Sequence, residues 1–199
     1  QVVVEPKLDG IAISATYEPD GHGGTRLVRV VTRGDGLAGE DVTTKVPTGT
    51  VGLPRTVDAV DAGFEVRGEL VFTAEQFVAA NAFRVAEGKA AFVNARNALA
   101  GSVRRDDLSA DDRPPMTFFA YSVDGGIEAP HLDQMVSAKT RGFLPAAALT
   151  RSDIATSLEQ GRTFPRVRAV KLGGEAVTRR EIALFRRVFL PGTRLYFGL

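Results

Sequence analysis

The chain is 199 residues long, 44% hydrophobic and 25% charged, a composition that belongs to globular proteins and argues against disorder. It has no cysteine and two histidines, His22 and His131, which excludes a disulfide framework and a thiolate zinc site and speaks against a histidine-rich metal centre. No apolar run nears the roughly 18 to 20 residues that span a bilayer, and no basic stretch followed by an apolar one marks a signal peptide. The expectation is a cytoplasmic enzyme or binding domain with no membrane partner.

The net charge of +1 hides an asymmetry: residues 1–140 carry 14 Lys/Arg and 20 Asp/Glu, whereas residues 141–199 carry 11 and 4. Two accounts compete, a solvated basic face and a tail that binds nucleic acid. The sequence opens Gln-Val-Val-Val-Glu without methionine, already inside an apolar run, which reads as a fragment cut at an internal point.

In chain order, Val2–Val4 is a short β-branched run, and Ile11–Tyr17 alternates as a half-buried strand does. Pro19 to Gly24 is a glycine-rich turn, and Arg26–Thr32 is the returning strand of a hairpin. Phe64–Phe72 alternates again. A helix follows, with Thr73 as N-cap, Gln76 completing a capping box and Gly88 as the stop. Asn94–Arg104 reads as a second helix, Asp106–Pro115 as a polar connector and Met116–Tyr121 as a core strand. Ile182, Phe185, Val188 and Phe189 have the spacing of an amphipathic helix. Strands, then helix and strand without regular alternation, predict an α+β fold with mainly antiparallel sheets and flanking helices. No Gly-x-Gly-x-x-Gly joins a strand to a helix, so a Rossmann fold has no support.

Five segments carry the chemistry. In Glu5-Pro6-Lys7-Leu8-Asp9-Gly10, a lysine at a strand end beside a carboxylate suits a covalent nucleophile, provided its amine is held neutral; an Asp-Gly hairpin turn is the plain alternative. Thr32-Arg33-Gly34-Asp35-Gly36, followed by Gly39-Glu40-Asp41, suits a phosphate-facing loop or an exposed turn. Glu65, Arg67 and Glu69 share one strand face, costly to bury unless they line a cleft; a solvent-facing strand accounts for them equally well. Arg96 and Arg104 lie eight residues apart on the second helix, within about 80° of each other, where paired guanidiniums could grip phosphate or simply face water. Arg113-Pro114-Pro115-Met116-Thr117-Phe118-Phe119-Ala120-Tyr121 stands alone as a core strand.

In order and spacing these five motifs closely resemble the adenylation domain of bacterial NAD-dependent DNA ligases, over residues 1–122 with echoes to Leu144. The resemblance implies the nucleotidyltransferase fold of DNA ligases, NAD as the adenylyl donor, Mg²⁺, and nicked double-stranded DNA as partner, in replication and repair, for a monomeric protein. Carried onto this chain, it makes Lys7 the nucleophile that takes AMP, with Asp9 beside it. Glu5 holds the adenine, Gly10 shapes the ribose side, Arg33 and Glu69 contact the adenosine, and Arg96 and Arg104 face phosphate. The family's Asp-Gly-Val-Val-Ile-Lys motif is missing; nearest to it is Val167-Arg168-Ala169-Val170-Lys171, with Arg166 and Val167 in place of Asp-Gly, so Lys171 is the candidate for the motif lysine. The segment that grips nicotinamide mononucleotide and the ligase's oligonucleotide-binding, zinc and helix-hairpin-helix modules have no counterpart here. The expected organisation is an incomplete adenylation core over residues 1–150 and a divergent basic tail over 151–199, either a frameshift product or a basic extension. A catalytically inactive, ligase-derived remnant that binds nucleotide or DNA is the alternative function. An ATP-dependent ligase or capping-type enzyme shares Lys-x-Asp-Gly but not the two later motifs.

Overall fold

The computed structural model describes residues 3–6, 8–34, 38–58, 60, 62–124, 131–146, 149–150, 169–173, 183, 186–187 and 194–197. Among them are ten strands: β1 (Val3–Pro6), β2 (Ile11–Pro19), β3 (Gly24–Thr32), β4 (Thr56–Asp58), β5 (Phe64–Val71), β6 (Thr117–Asp124), β7 (Leu144–Pro145), β8 (Leu149–Thr150), β9 (Ala169–Gly173) and β10 (Arg194–Phe197). Three α-helices stand with them: α1 (Ala74–Ala86), α2 (Ala95–Arg104) and α3 (His131–Thr140). The chain divides into two compact units, residues 8–145 and residues 1–7 together with 146–199.

The larger unit is built on a six-stranded sheet in the order β4-β3-β2-β5-β6-β7, antiparallel except for the parallel pair β6–β7. The β2–β3 hairpin closes where Asp20 Oδ1 accepts the backbone N–H groups of His22 (2.7 Å) and Gly24 (3.1 Å). Alternation then sorts the side chains: Ile13, Ala15 and Tyr17 of β2, Val66 and Leu70 of β5, and Phe118 and Ala120 of β6 are all buried. Tyr17 stacks on Phe64 at 4.7 Å, and Phe143 meets Tyr17 edge-on at 5.5 Å, aromatic geometry that adds about 0.5–1.5 kcal/mol per pair beyond area burial. The Tyr17 hydroxyl donates to the Pro54 carbonyl (2.5 Å); burial pushes its pKa far up, so it stays a neutral donor. Gly68 sits at a register shift between β5 and β6. An added Cβ there would lie 2.4 Å from the Phe118 ring, so this position has no room for a side chain.

The hairpin, the Phe64 strand and the second helix emerge as expected. So does the capping box: Thr73 Oγ1 accepts from the Gln76 N–H, and Gln76 Oε1 accepts from the Thr73 N–H. Gly88, with φ of +75°, ends α1 through a left-handed turn open to glycine. β4, β7 and α3 carry no signal in the sequence, being three, two and ten residues of weak periodicity.

The smaller unit holds a four-stranded sheet in the order β10-β9-β1-β8. β1 pairs antiparallel with both β8 and β9, while β9 and β10 run parallel. The first strand of the sequence is thus paired with residues 169–173. Lys7, Asp35, Gly36, Arg166, Val167 and the four apolar residues of the amphipathic spacing, Ile182, Phe185, Val188 and Phe189, lie outside the described residues.

Candidate active site

Glu65, Arg67 and Glu69 do share one face of β5, while Val66, Gly68 and Leu70 are buried on the other. The outer face is organised by charge. Arg67 Nε donates to Glu65 Oε1 at 2.7 Å, a bond that pushes the guanidinium pKa up. Glu69 reaches instead to the start of β2, where its Oε1 accepts the Gly10 N–H at 3.1 Å. Gly10 is buried, and a Cβ on it would fall 2.1 Å from the Leu70 carbonyl oxygen. A glycine is therefore required for the chain to pass this close to β5. One residue earlier, Asp9 is exposed, and its carboxylate lies 3.6 Å from Arg96 Nη1.

Arg96 is delivered by α2, whose buried face is Ala98, Leu99, Ser102 and Val103. The Asn94 side chain caps the helix by accepting the Asn97 N–H at 2.8 Å. The approach to α2 is fastened to α1. Asn81 accepts the Phe92 N–H (2.8 Å) and donates to the Phe92 carbonyl (3.3 Å). Arg84 donates to the Ala90 carbonyl (2.6 Å) and lies 4.0 Å over the Phe92 ring. That ring fills the space a side chain at Gly101 would need, 2.8 Å from its ideal Cβ. At the far end of the helix Arg104 is exposed and, among the described residues, has no ion-pair partner. It stands about 12 Å along the axis from Arg96.

Arg33 joins from the end of β3. Its N–H donates to the Ala12 carbonyl (2.9 Å), and Ala12 is itself the register partner of Glu69. The loop it begins is pinned at its base, where the Thr32 N–H donates to the Glu40 carbonyl (2.9 Å) and Thr32 Oγ1 accepts the Glu40 N–H (3.0 Å). Lys45 then ties Glu40 (2.8 Å) to Asp106 just beyond α2 (2.9 Å).

The structure thus pairs Asp9 with Arg96 and Gly10 with Glu69, joins Arg33 to the neighbouring strand through Ala12, and leaves Arg104 at the opposite end of its helix. In the smaller unit Glu5 and Lys171 are register partners across β1 and β9. Asn81 and Lys45 were not anticipated; only the third dimension gives them partners. Among the described residues no group of three His, Asp or Glu side chains could hold a metal ion. The exposed cations of the described site include the guanidiniums of Arg96 and Arg104.

Comparison with known proteins gives the family. The family model of the NAD-dependent DNA ligase adenylation domain matches residues 1–160. The DNA ligase 2 of Pseudarthrobacter chlorophenolicus is 44% identical over 149 residues, 75% of this chain and 20% of that protein. The DNA ligase of Rhodopseudomonas palustris strain HaA2 is 36% identical over 170 residues, 83% of this chain and 23% of that protein. The DNA ligase of Marinomonas sp. strain MWYL1 is 47% identical over 120 residues, 60% of this chain and 17% of that protein. The chain spans about a fifth of the length of these curated relatives. With five ordered motifs, four of their residues in contact and a family match over most of its length, the chain belongs to the NAD-dependent DNA ligase adenylation-domain family.

Proposed function

We propose that this chain performs the self-adenylation step of a DNA ligase on a nucleotidyltransferase fold, with NAD consumed as the adenylyl donor. Lys7 Nζ, having lost its proton, attacks the α-phosphorus of NAD. A nitrogen–phosphorus bond forms, the bond to the bridging oxygen breaks, and nicotinamide mononucleotide leaves with the electron pair. The step asks mainly for alignment and charge neutralisation. Arg96 and Arg104 supply positive charge for phosphate, Arg33 and Glu69 hold the adenosine side, and Gly10 allows the backbone to come close. Glu5 holds the adenine, and Lys171 takes the place of the absent motif lysine; its register position opposite Glu5 supports that assignment.

The contact of Asp9 with Arg96 and of Gly10 with Glu69 carries the reading, because it brings the residues following Lys7 against two of the other motifs. In a full-length relative the AMP would pass to the 5′-phosphate of nicked double-stranded DNA, and the 3′-hydroxyl would displace it during replication and repair in the cytoplasm. Mg²⁺ would assist as a phosphate counter-ion, and the protein would act as a monomer. A second reading, a nucleotide- or DNA-binding remnant without catalysis, is favoured by one observation: Arg166 and Val167 stand where the family has Asp-Gly.

One experiment separates them. The chain and a Lys7→Ala variant are incubated with NAD or with ATP, with and without Mg²⁺, and their intact masses recorded. An adenylate on the unsubstituted chain from NAD alone is the expected result. An adenylate that persists in Lys7→Ala, or none from any nucleotide, overturns catalysis by Lys7 and leaves the binding reading.

A further inference from the structure

The Arg-Pro-Pro segment that precedes β6 plays no part in the site above, yet its arginine is one of the few charged groups in the interior. Arg113 is 5% exposed and, among the described residues, no carboxylate lies within ion-pair distance of it. Its guanidinium is spent on backbone. Nη1 donates to the Ser102 carbonyl, and Nη2 donates to the carbonyls of Arg105 (2.5 Å) and Leu108 (2.8 Å). Nε finds no partner, and burial lowers the guanidinium pKa. A charge held at such expense, against three carbonyls and not a carboxylate, is placed for what it fixes.

What it fixes is the end of α2. The last four carbonyls of a helix lack intrahelical donors, and a cation there is favoured by the helix dipole. Arg113 supplies both. The Ser102 carbonyl lies in the last turn, and the Arg105 carbonyl belongs to the residue that caps the helix, so the fork spans the two sides of Arg104. A point-charge lysine could not bridge three diverging acceptors; the planar guanidinium can.

We infer that Arg113 is a positioning residue for adenylation, acting through the last turn of α2 to hold Arg104 where it meets phosphate. The inference rests on the reading of Arg104 as a phosphate ligand. Arg113→Met removes the fork. Arg113→Lys keeps the charge but gathers its donors on a single nitrogen, and guards against a variant that simply fails to fold.

Two measurements test it. In the first, amide hydrogen exchange is compared across the unsubstituted chain and the two variants; protection should fall at Val103–Arg105 while β2, β5 and β6 stay protected. In the second, the single-turnover rate of adenylate formation is measured at saturating NAD. Displacement of a positioned group by about 1 Å costs on the order of 10²-fold in rate, so Arg113→Met should lose about 10- to 100-fold, with Arg113→Lys intermediate. Combined with Arg104→Ala it should lose nothing further, because the two residues act as one. Additive losses in the double variant, an Arg104→Ala chain that reacts normally, or unchanged exchange at Val103–Arg105 would each overturn the inference. If the unsubstituted chain takes no adenylate, the catalytic reading itself has failed, and hydrogen exchange alone then decides whether Arg113 clasps α2.

Discussion

Gly10→Ala puts the close approach of the chain to β5 to the test. The new Cβ would start 2.1 Å from the Leu70 carbonyl oxygen and 2.8 Å from Val71 Cγ1. Optimal carbon contacts lie near 3.5–4.0 Å, so residue 10 has to retreat from β5 by more than roughly 1 Å. Retreat stretches the Gly10 N–H···Glu69 bond, now 3.1 Å, beyond hydrogen-bond range and strands a buried donor. Overpacking alone costs about 1–3 kcal/mol, and losing a bond to a charged acceptor about 1.5–3 kcal/mol. The displacement that relieves the first causes the second, so the two are not summed; about 2–4 kcal/mol is expected. For a chain of this size each kcal/mol moves the midpoint by roughly 2–4 °C, giving a fall of about 5–15 °C in a calorimetric scan. In combination with Glu69→Ala the penalty should shrink by about 0.5–3 kcal/mol, since the bond is already gone. An alanine variant that melts with the parent chain would refute the close approach and with it the account of why this motif ends in glycine.

Three further outcomes follow from other contacts. Asn81→Ala leaves the Phe92 N–H and carbonyl without their side-chain partner, a loss of about 1–3 kcal/mol, and limited proteolysis should cut faster between Gly88 and Asn94. Thr73→Ala removes half of the capping box at the start of α1 and should cost about 1 kcal/mol in urea unfolding, with the slope against denaturant unchanged. Asp107 is held at a pKa of about 2 by its hydrogen bonds to Arg105, below the usual carboxylate value. A depressed folded pKa means stability that is present above the unfolded pKa and is lost as pH falls through the folded one. Stability should therefore decline between about pH 4 and pH 2, and Asp107→Asn should flatten that limb; an equally steep decline in the variant would show that Asp107 is not among its causes.

Much of the larger unit can be read from local pattern because its cause is local. The capping box at Thr73 and Gln76, the glycines of the β2–β3 turn and the alternation of β5 each depend on residues within a few positions of one another. The site is legible to the extent that it lies in compact motifs: Asp9, Gly10, Glu69 and Arg96 were named from the chain and meet in space. What the sequence hides is pairing at a distance. Nothing near Lys45 announces Glu40 and Asp106 as its partners at once, and Arg113 sits in a stretch of aspartates and prolines that reads as a polar connector, yet its side chain is buried against carbonyls of the last turn of α2, its cap and the residues just beyond. Short elements such as β4 and β7 escape for another reason, as two or three residues define no period. The smaller unit is assembled from the two ends of the sequence, so no window of neighbouring residues contains its sheet.

The order of strands in the larger sheet has a consequence for how the protein must be made. β5 lies between β2 and β6, with Ile13 opposite Gly68 and Gly68 next opposite Ala120, so both of its neighbours are distant in the chain. Pairings of such range are slow to form. During synthesis, which runs from the N-terminus, β2 and β5 can zip together, but β5 keeps an open edge of unpaired N–H and C=O groups until β6 has emerged from the ribosome. An open edge flanked by Val66, Leu70 and Val71 is an invitation to pair with another chain. A nascent chain paused between Val71 and Thr117 therefore exposes the free edge of β5 as its most adhesive surface, and prompt delivery of β6 covers it.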